Sequence, residues 1–230
     1  MLRSLSSIFS DPRGFIVSLA FALPVAIIAI TIHEVSHGIV AAWLGDPTAK
    51  QSGRLTLNPV KHFDLMGVVM MVVIGFGWAR PVPVNPMNFK KPKLGMAIVA
   101  AAGPLSNILL SFVFLCLLIA LPSGPNTSRF IELVGNFLWY GVMMNIGFAA
   151  FNLIPISPLD GSKILALALP QRIYFRYMRF ERYGMLVLMA LIFLGLLDTP
   201  LSFLRSMIMN GELIIIQGAI NLFYMIFPGS

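Results

Sequence analysis

Long apolar runs separated by short polar stretches dominate the chain. Residues 15–44, 94–121, 131–154 and 183–197 are nearly continuous in apolar side chains, and a helix needs about 20 such residues to cross a bilayer. Gly45-Asp46-Pro47 stops the first run, as glycine then proline do beyond a helix end, and Pro24 is placed to kink it. Two further runs are ambiguous. Residues 206–227 contain Glu212, Gln217 and Asn221, so they either cross or lie partly in the interface. Residues 65–78 are apolar but short, which favours a re-entrant element over a crossing. The stretches flanking them look extended: RLTLN (54–58) alternates like a short strand, and the prolines of PVPVNP (81–86) confine it to an edge. The pattern predicts an all-α polytopic membrane protein with about five to six transmembrane helices and a short β-like or re-entrant element after the first.

Composition supports this class. Of the 230 residues, 58% are hydrophobic and 11% charged, and the mean hydropathy is +0.87. A net charge of +7 is here the mark of basic cytoplasmic loops, and nucleic acid is not expected as a partner. If 65–78 turns back, 12 of the 16 basic residues fall on one side, against 11 if it crosses. Both arrangements assign the crowded side to the cytoplasm and the protein to the plasma membrane. Arg3 and Arg13 precede the first run as in a signal peptide, but no small-residue cleavage site follows, so the run reads as an uncleaved span. The single cysteine, Cys116, excludes a disulfide framework and a cysteine zinc cluster. With no repeat or low-complexity tract, the chain reads as one membrane domain over 1–230, with a core at 15–165 and C-terminal helices at 183–227.

The first run carries polar chemistry that lipid would exclude. His33-Glu34-Val35-Ser36-His37 is an H-E-x-x-H motif. Histidines at i and i+4 share a helix face and can reach one metal ion, and the glutamate between them is spaced to act as a general base on water. Three histidines and nine acids placed at random would produce this pattern roughly 0.002 times. A buried, hydrogen-bonded histidine pair is the weaker reading, because ionisable groups at membrane depth are functional by default. Catalytic zinc takes three protein ligands and keeps one position open, so a third ligand is needed. His62, in LNPVKHFD, lies just outside a span and reads as an interfacial residue or a substrate contact. Asp160, in FNLIPISPLDGSK (151–163), follows a span broken by Pro155 and Pro158. Irregular backbone at membrane depth is tolerated where it lines a cavity; a plain Asp-Gly turn is the equal alternative. His33 sits roughly 27 Å along its helix at 1.5 Å per residue, near the basic side. Asp160 reaches that depth only if 65–78 turns back.

HEVSH, AAGPLSN (101–107) and NLIPISPLDG (152–161) together resemble the site-2 protease family of intramembrane zinc metalloproteases. GRLTLNP (53–59) and PVPVNP extend the resemblance to its small bacterial members, over about residues 20–165. The chain has no room for the PDZ or CBS modules of some relatives. Leu65 departs from the family, many members having a proline there. The resemblance implies one catalytic Zn²⁺ held by His33, His37 and Asp160, with Glu34 as the base and Asn152 near the reacting carbonyl. It implies hydrolysis of peptide bonds in or near transmembrane segments of membrane-protein substrates, within the lipid bilayer. An extended segment at 54–58 or 81–86 is expected to pair with the unwound substrate. Asn107 reads as an interhelical hydrogen-bonding residue beside the close-packing pair Gly103-Pro104. A polytopic metal-ion transporter is the rival from another class, but it would more naturally show a repeat and a polar crossing path. A catalytically inactive membrane scaffold is the third reading, and the complete ligand set with Glu34 opposes it.

Overall fold

A computed structural model describes residues 11–226, apart from 65, 68, 70–78, 123, 125, 126, 171, 175, 176 and 178–180; side chains are described as far as residue 222. The principal helices are α1 (Pro12–Trp43), α2 (Thr48–Gln51), α3 (Pro92–Ile119), α4 (Arg129–Asn152), α5 (Asp160–Ala168), α6 (Gly184–Phe193) and α7 (Asp198–Ile226). Among the described residues, α1, α3, α4 and α7 are long and apolar enough to cross a membrane. All-α polytopic architecture is therefore as expected, with four such helices among these residues against the five to six anticipated.

Local chemistry sets the ends of these helices. Asp11 caps α1 by accepting the Gly14 N–H at 3.0 Å, and Pro12 takes the first turn, where its missing N–H costs nothing. At the other end Gly45 adopts φ +101°, a conformation that favours glycine, and the Asp46 N–H returns to the Ala41 carbonyl at 2.9 Å. Ser128 caps α4. Pro155 and Pro158 follow its last turn and hold the chain irregular until α5.

Two apolar segments behave differently from their hydropathy. Residues 183–197 yield only the ten-residue α6, about 15 Å long at 1.5 Å per residue, half the thickness of a bilayer core. Gly195, at φ +69°, then turns the chain into α7. Hydropathy measures how apolar a run is, not whether its backbone is continuous. Of the ambiguous 206–227 segment, the described residues 206–226 belong instead to α7. Its Glu212 is buried and hydrogen-bonded to the Ser111 hydroxyl of α3, so the polar residue faces protein rather than lipid.

The core lies between α3, α4 and α7, where Phe114, Leu138, Val142, Ile146, Ala149 and Ile208 pack together. A second cluster of Ile154, Leu159, Leu188 and Leu197 joins α6 and the start of α7 to the end of α4. Outward residues such as Leu105, Leu109, Trp139, Ile214 and Ile215 are exposed; on crossing helices these face acyl chains.

Where α1 ends, α3 begins: Phe89, just before α3, packs on Ala41 and Val99. The linker between them therefore starts and finishes on one face of the bundle. The proposed re-entrant run 65–78 lies almost wholly outside the described residues. Its two flanks meet in an antiparallel bridge between Phe63 and Ala79, and the Arg80 N–H donates to the His62 carbonyl at 2.8 Å. The chain thus returns to the place it left. Neither flank forms a strand. Residues 54–58 are irregular and pinned from within: the Arg54 guanidinium donates to the Lys61 carbonyl and Asn58 caps the turn Pro59–Lys61. Residues 81–85 have no regular structure, with Asn85 extended; Pro81 and Pro83 have no N–H, Val82 donates to Glu34 and Asn85 donates to Asp46.

Candidate active site

His33 and His37 lie one turn apart on α1, and Asp160 opens α5. All three are buried. Gly161 makes the approach of Asp160 possible, because a Cβ there would run into the carbonyls of Leu153 and Ile154. The first turn of α5 thereby folds back against the end of α4. The Asp160 Oδ2 atom lies 3.1 Å from the Nε2 atoms of both His33 and His37. The two imidazoles stand edge to face, their centroids 4.6 Å apart.

The partners behind the rings define what faces inward. His37 Nδ1 is 2.7 Å from the Val99 carbonyl, which can only accept, so Nδ1 carries the proton and Nε2 a lone pair. His33 Nδ1 is 2.7 Å from Asn107 Oδ1. Nitrogen lone pairs and a carboxylate oxygen thus converge, with their ligand atoms all within 4.8 Å of one another. Electron-pair donors at such separations repel unless a cation lies between them. Two imidazoles and a carboxylate also suit zinc in number and type. Space is left on the α3 side: a Cβ on Gly103 would stand 2.5 Å from the Nε2 atoms of both histidines. The residues fit a zinc ion.

A cavity of ≈ 290 Å³ opens on this cluster. Its polar lining comprises His33, Glu34, His37, Asn152, Asp160 and Lys163, and Pro81, Val82, Val84, Met96 and Val99 form the apolar wall. Glu34 Oε2 accepts the Val82 N–H at 2.8 Å, which leaves Oε1 for another partner. The strap carrying Val82 is fastened at its far end by Asp46, which accepts from the Asn85 N–H at 2.7 Å and from the Asn88 side chain at 2.6 Å. Burial raises the Asp46 pKa, but donors from Thr48, Asn88 and Asn85 outweigh it and hold the carboxyl below its ordinary value.

Five residues singled out in the sequence meet here: His33, Glu34, His37, Asn152 and Asp160. Asn152 donates from Nδ2 to the Phe148 carbonyl at 3.1 Å, closing the last turn of α4 while its amide still lines the cavity. His62 does not join them. It is fully buried in the linker, its Nε2–H donating to the Thr56 carbonyl at 2.8 Å. Three participants escaped sequence reasoning. Val82 contributes a backbone N–H, to which composition is blind. Lys163 sits 3.9 Å from Asp160 Oδ1, and its place three residues beyond Asp160 on a helix was the available signal. Asn107 was expected to link helices, and it does, but it also holds a histidine.

Residues 123–195 match the model of Peptidase family M50, a span that includes Asn152 and Asp160. The chain is 41% identical over 178 residues to YwhC of Bacillus subtilis (strain 168), named as a candidate zinc metalloprotease, with 76% of this chain and 79% of that protein covered. It is 28% identical over 162 residues to MJ0611 of Methanocaldococcus jannaschii, similarly named, covering 70% of this chain and 78% of that protein. It is also 28% identical over 147 residues to Rip2 of Mycolicibacterium smegmatis, again so named, covering 59% and 52%. No solved structure matches.

Proposed function

The chain belongs to peptidase family M50, the site-2 protease family, and from this multi-pass zinc metalloprotease framework we propose that it hydrolyses peptide bonds in or near the transmembrane segments of membrane-protein substrates. The observation that carries the reading is the meeting of His33 and His37 with Asp160 on the wall of a cavity that Glu34 also lines.

In this reading His33, His37 and Asp160 hold the ion. Bound zinc supplies a Lewis acid that polarises a carbonyl and acidifies water to near neutral pH. Glu34, steadied by Val82, uses its free oxygen to take a proton from the attacking water. The water oxygen bonds to the scissile carbonyl carbon, and Glu34 returns the proton to the leaving nitrogen as the C–N bond breaks. The products are a carboxylate and an amine. Asn152 has a second amide hydrogen beyond the one spent on Phe148, and donates it to the developing oxyanion. A substrate helix must unwind to expose its carbonyl, and its freed backbone groups need partners in a dry environment. The carbonyls and the Val84 N–H of the strap 81–85 beside the cavity supply them.

The domain is a single membrane unit in the plasma membrane with its site toward the cytoplasmic face, the face that receives 12 of the 16 lysines and arginines when 65–78 turns back. Purified wild type and Glu34→Gln, each in zinc-loaded liposomes with a single-pass substrate, provide the test. Wild type is expected to cut; Glu34→Gln retains zinc and loses cleavage by at least about 100-fold. Metal flux without cleavage would establish a transporter instead, and cleavage retained by Glu34→Gln would remove the assigned base.

A further inference from the structure

We infer that Asn145 and Asn107 form a directional pair of positioning residues that sets which nitrogen of His33 faces the metal site; this deepens the proposed zinc site and rests on it. An asparagine amide can be turned either way, and only its partners decide which end is oxygen. Here the partners decide it completely. Asn145 Nδ2 donates to the Gly141 carbonyl at 2.8 Å, so its Oδ1 is an acceptor. That Oδ1 receives one Asn107 hydrogen at 2.9 Å. The other Asn107 hydrogen goes to the Ala29 carbonyl at 3.2 Å. Both donors of Asn107 are then spent, and its Oδ1, 2.7 Å from His33 Nδ1, can only accept. His33 must carry its proton on Nδ1 and keep the Nε2 lone pair for the site.

Both asparagines are fully buried where α1, α3 and α4 meet. At such burial a misdirected amide would set like groups against each other and leave polar groups unpaired, so polarity passes from a backbone carbonyl on α4 through two side chains to the imidazole. His37 is oriented differently, by the backbone carbonyl of Val99. The two imidazoles are thus held by unlike means, and His33 is the one a side-chain substitution can release.

The chain has three histidines, which makes the test direct. In zinc-loaded protein carrying ¹⁵N-histidine, two protected Nδ1–H protons are expected, from His33 and His37, and one Nε2–H from His62, whose partner is the Thr56 carbonyl. Asn107→Leu should abolish the protected His33 signal, leave those of His37 and His62, and weaken zinc binding in chelator competition by roughly 10- to 100-fold. Asn107→Asp keeps an acceptor and should restore the His33 signal. Asn145→Leu, one step removed from the ring, should shift the His33 signal alone and cost less zinc affinity than Asn107→Leu; it serves if Asn107→Leu fails to fold. An unchanged His33 signal, or zinc affinity within threefold of wild type in both leucine variants, overturns the inference. Loss of all three signals together in every folded variant overturns it too. A wild type that binds no zinc sinks the proposed site, while the His33 signal in that protein still reports on the asparagine pair.

Discussion

Replacing Gly103 by alanine tests the metal site through shape alone. The added methyl would stand 2.5 Å from His33 Cε1, His33 Nε2 and His37 Nε2, whereas ordinary van der Waals contact begins at 3.4 Å. The rings cannot both retreat, since His33 is tied to Asn107 and His37 to Val99, each at 2.7 Å. Without zinc each imidazole can pivot on its Nδ1 hydrogen bond and swing its Nε2 edge away from the methyl. With zinc both Nε2 atoms must reach one point, and ligand distances tolerate only about 0.2 Å. The strain therefore falls on the loaded state. Overpacking by a methyl costs about 1–3 kcal/mol, which at about 1.4 kcal/mol per tenfold converts to zinc binding weakened by roughly 5- to 150-fold. Chelator competition on purified Gly103→Ala measures this, with thermal unfolding of the zinc-free protein expected to change little. Gly135→Ala is the control: its Cβ would meet only Leu121 and Leu118, at 3.7 and 3.9 Å, and zinc affinity should not move. Affinity within twofold of wild type in Gly103→Ala would refute the packing argument.

Other substitutions separate the parts of the site. Val82→Pro deletes the N–H that steadies Glu34 in a stretch without regular structure; cleavage should slow by about tenfold, from loss of roughly 1.5 kcal/mol in a hydrogen bond to a charged group, at unchanged zinc content by atomic absorption. Lys163→Met removes a partly exposed ammonium 3.9 Å from Asp160; such pairs contribute about 0.2–1 kcal/mol, which a cation binding at Asp160 must overcome, so zinc affinity should rise by no more than about fivefold, and a hundredfold change would show that the pair is undervalued. Asp46→Asn weakens the clasp of the strap, so limited proteolysis near 81–88 should accelerate. Because the folded pKa of Asp46 lies below its unfolded value, its contribution is present above about pH 4 and is lost as pH falls through the folded value. Wild type and Asp46→Asn should therefore differ in unfolding temperature at neutral pH and converge in acid.

The site was legible in the sequence to the extent that its chemistry is local. His33, Glu34 and His37 need only helical spacing to share a face. Asp160 was legible as a residue of interest, because prolines followed by Asp-Gly mark a broken helix, but local sequence left ligand and turn evenly matched. What brings Asp160 to the histidines is only partly local: Gly161 admits the carbonyls of Leu153 and Ile154 just beyond α4, and a distant linker returns to its own side. The fold was legible as apolar runs, less so as helices. In 183–197 the single Gly195 divides what hydropathy joins, and in 206–227 Glu212 reads as a flaw in a span until Ser111 is seen beside it. The strands expected on either side of 65–78 failed for one reason. Their backbone groups found side-chain and turn partners, and such pairings leave no periodic trace in the sequence.

The linker also explains why the ligands can meet at all. α1 carries the histidines toward one face, α3 leaves that face, and α4 comes back to it before delivering Asp160. Were the stretch between Phe63 and Ala79 to cross, α3 would begin on the opposite face and Asp160 would arrive a bilayer thickness, about 30 Å, from His33. The Phe63–Ala79 bridge and the packing of Phe89 on Ala41 are therefore part of the candidate site's construction, although none of these residues lines the cavity. The same linker supplies the strap that places Val82 against Glu34. One linker thus fixes which face receives Asp160 and how Glu34 is held. Its residues are accordingly expected to govern activity from outside the metal's reach.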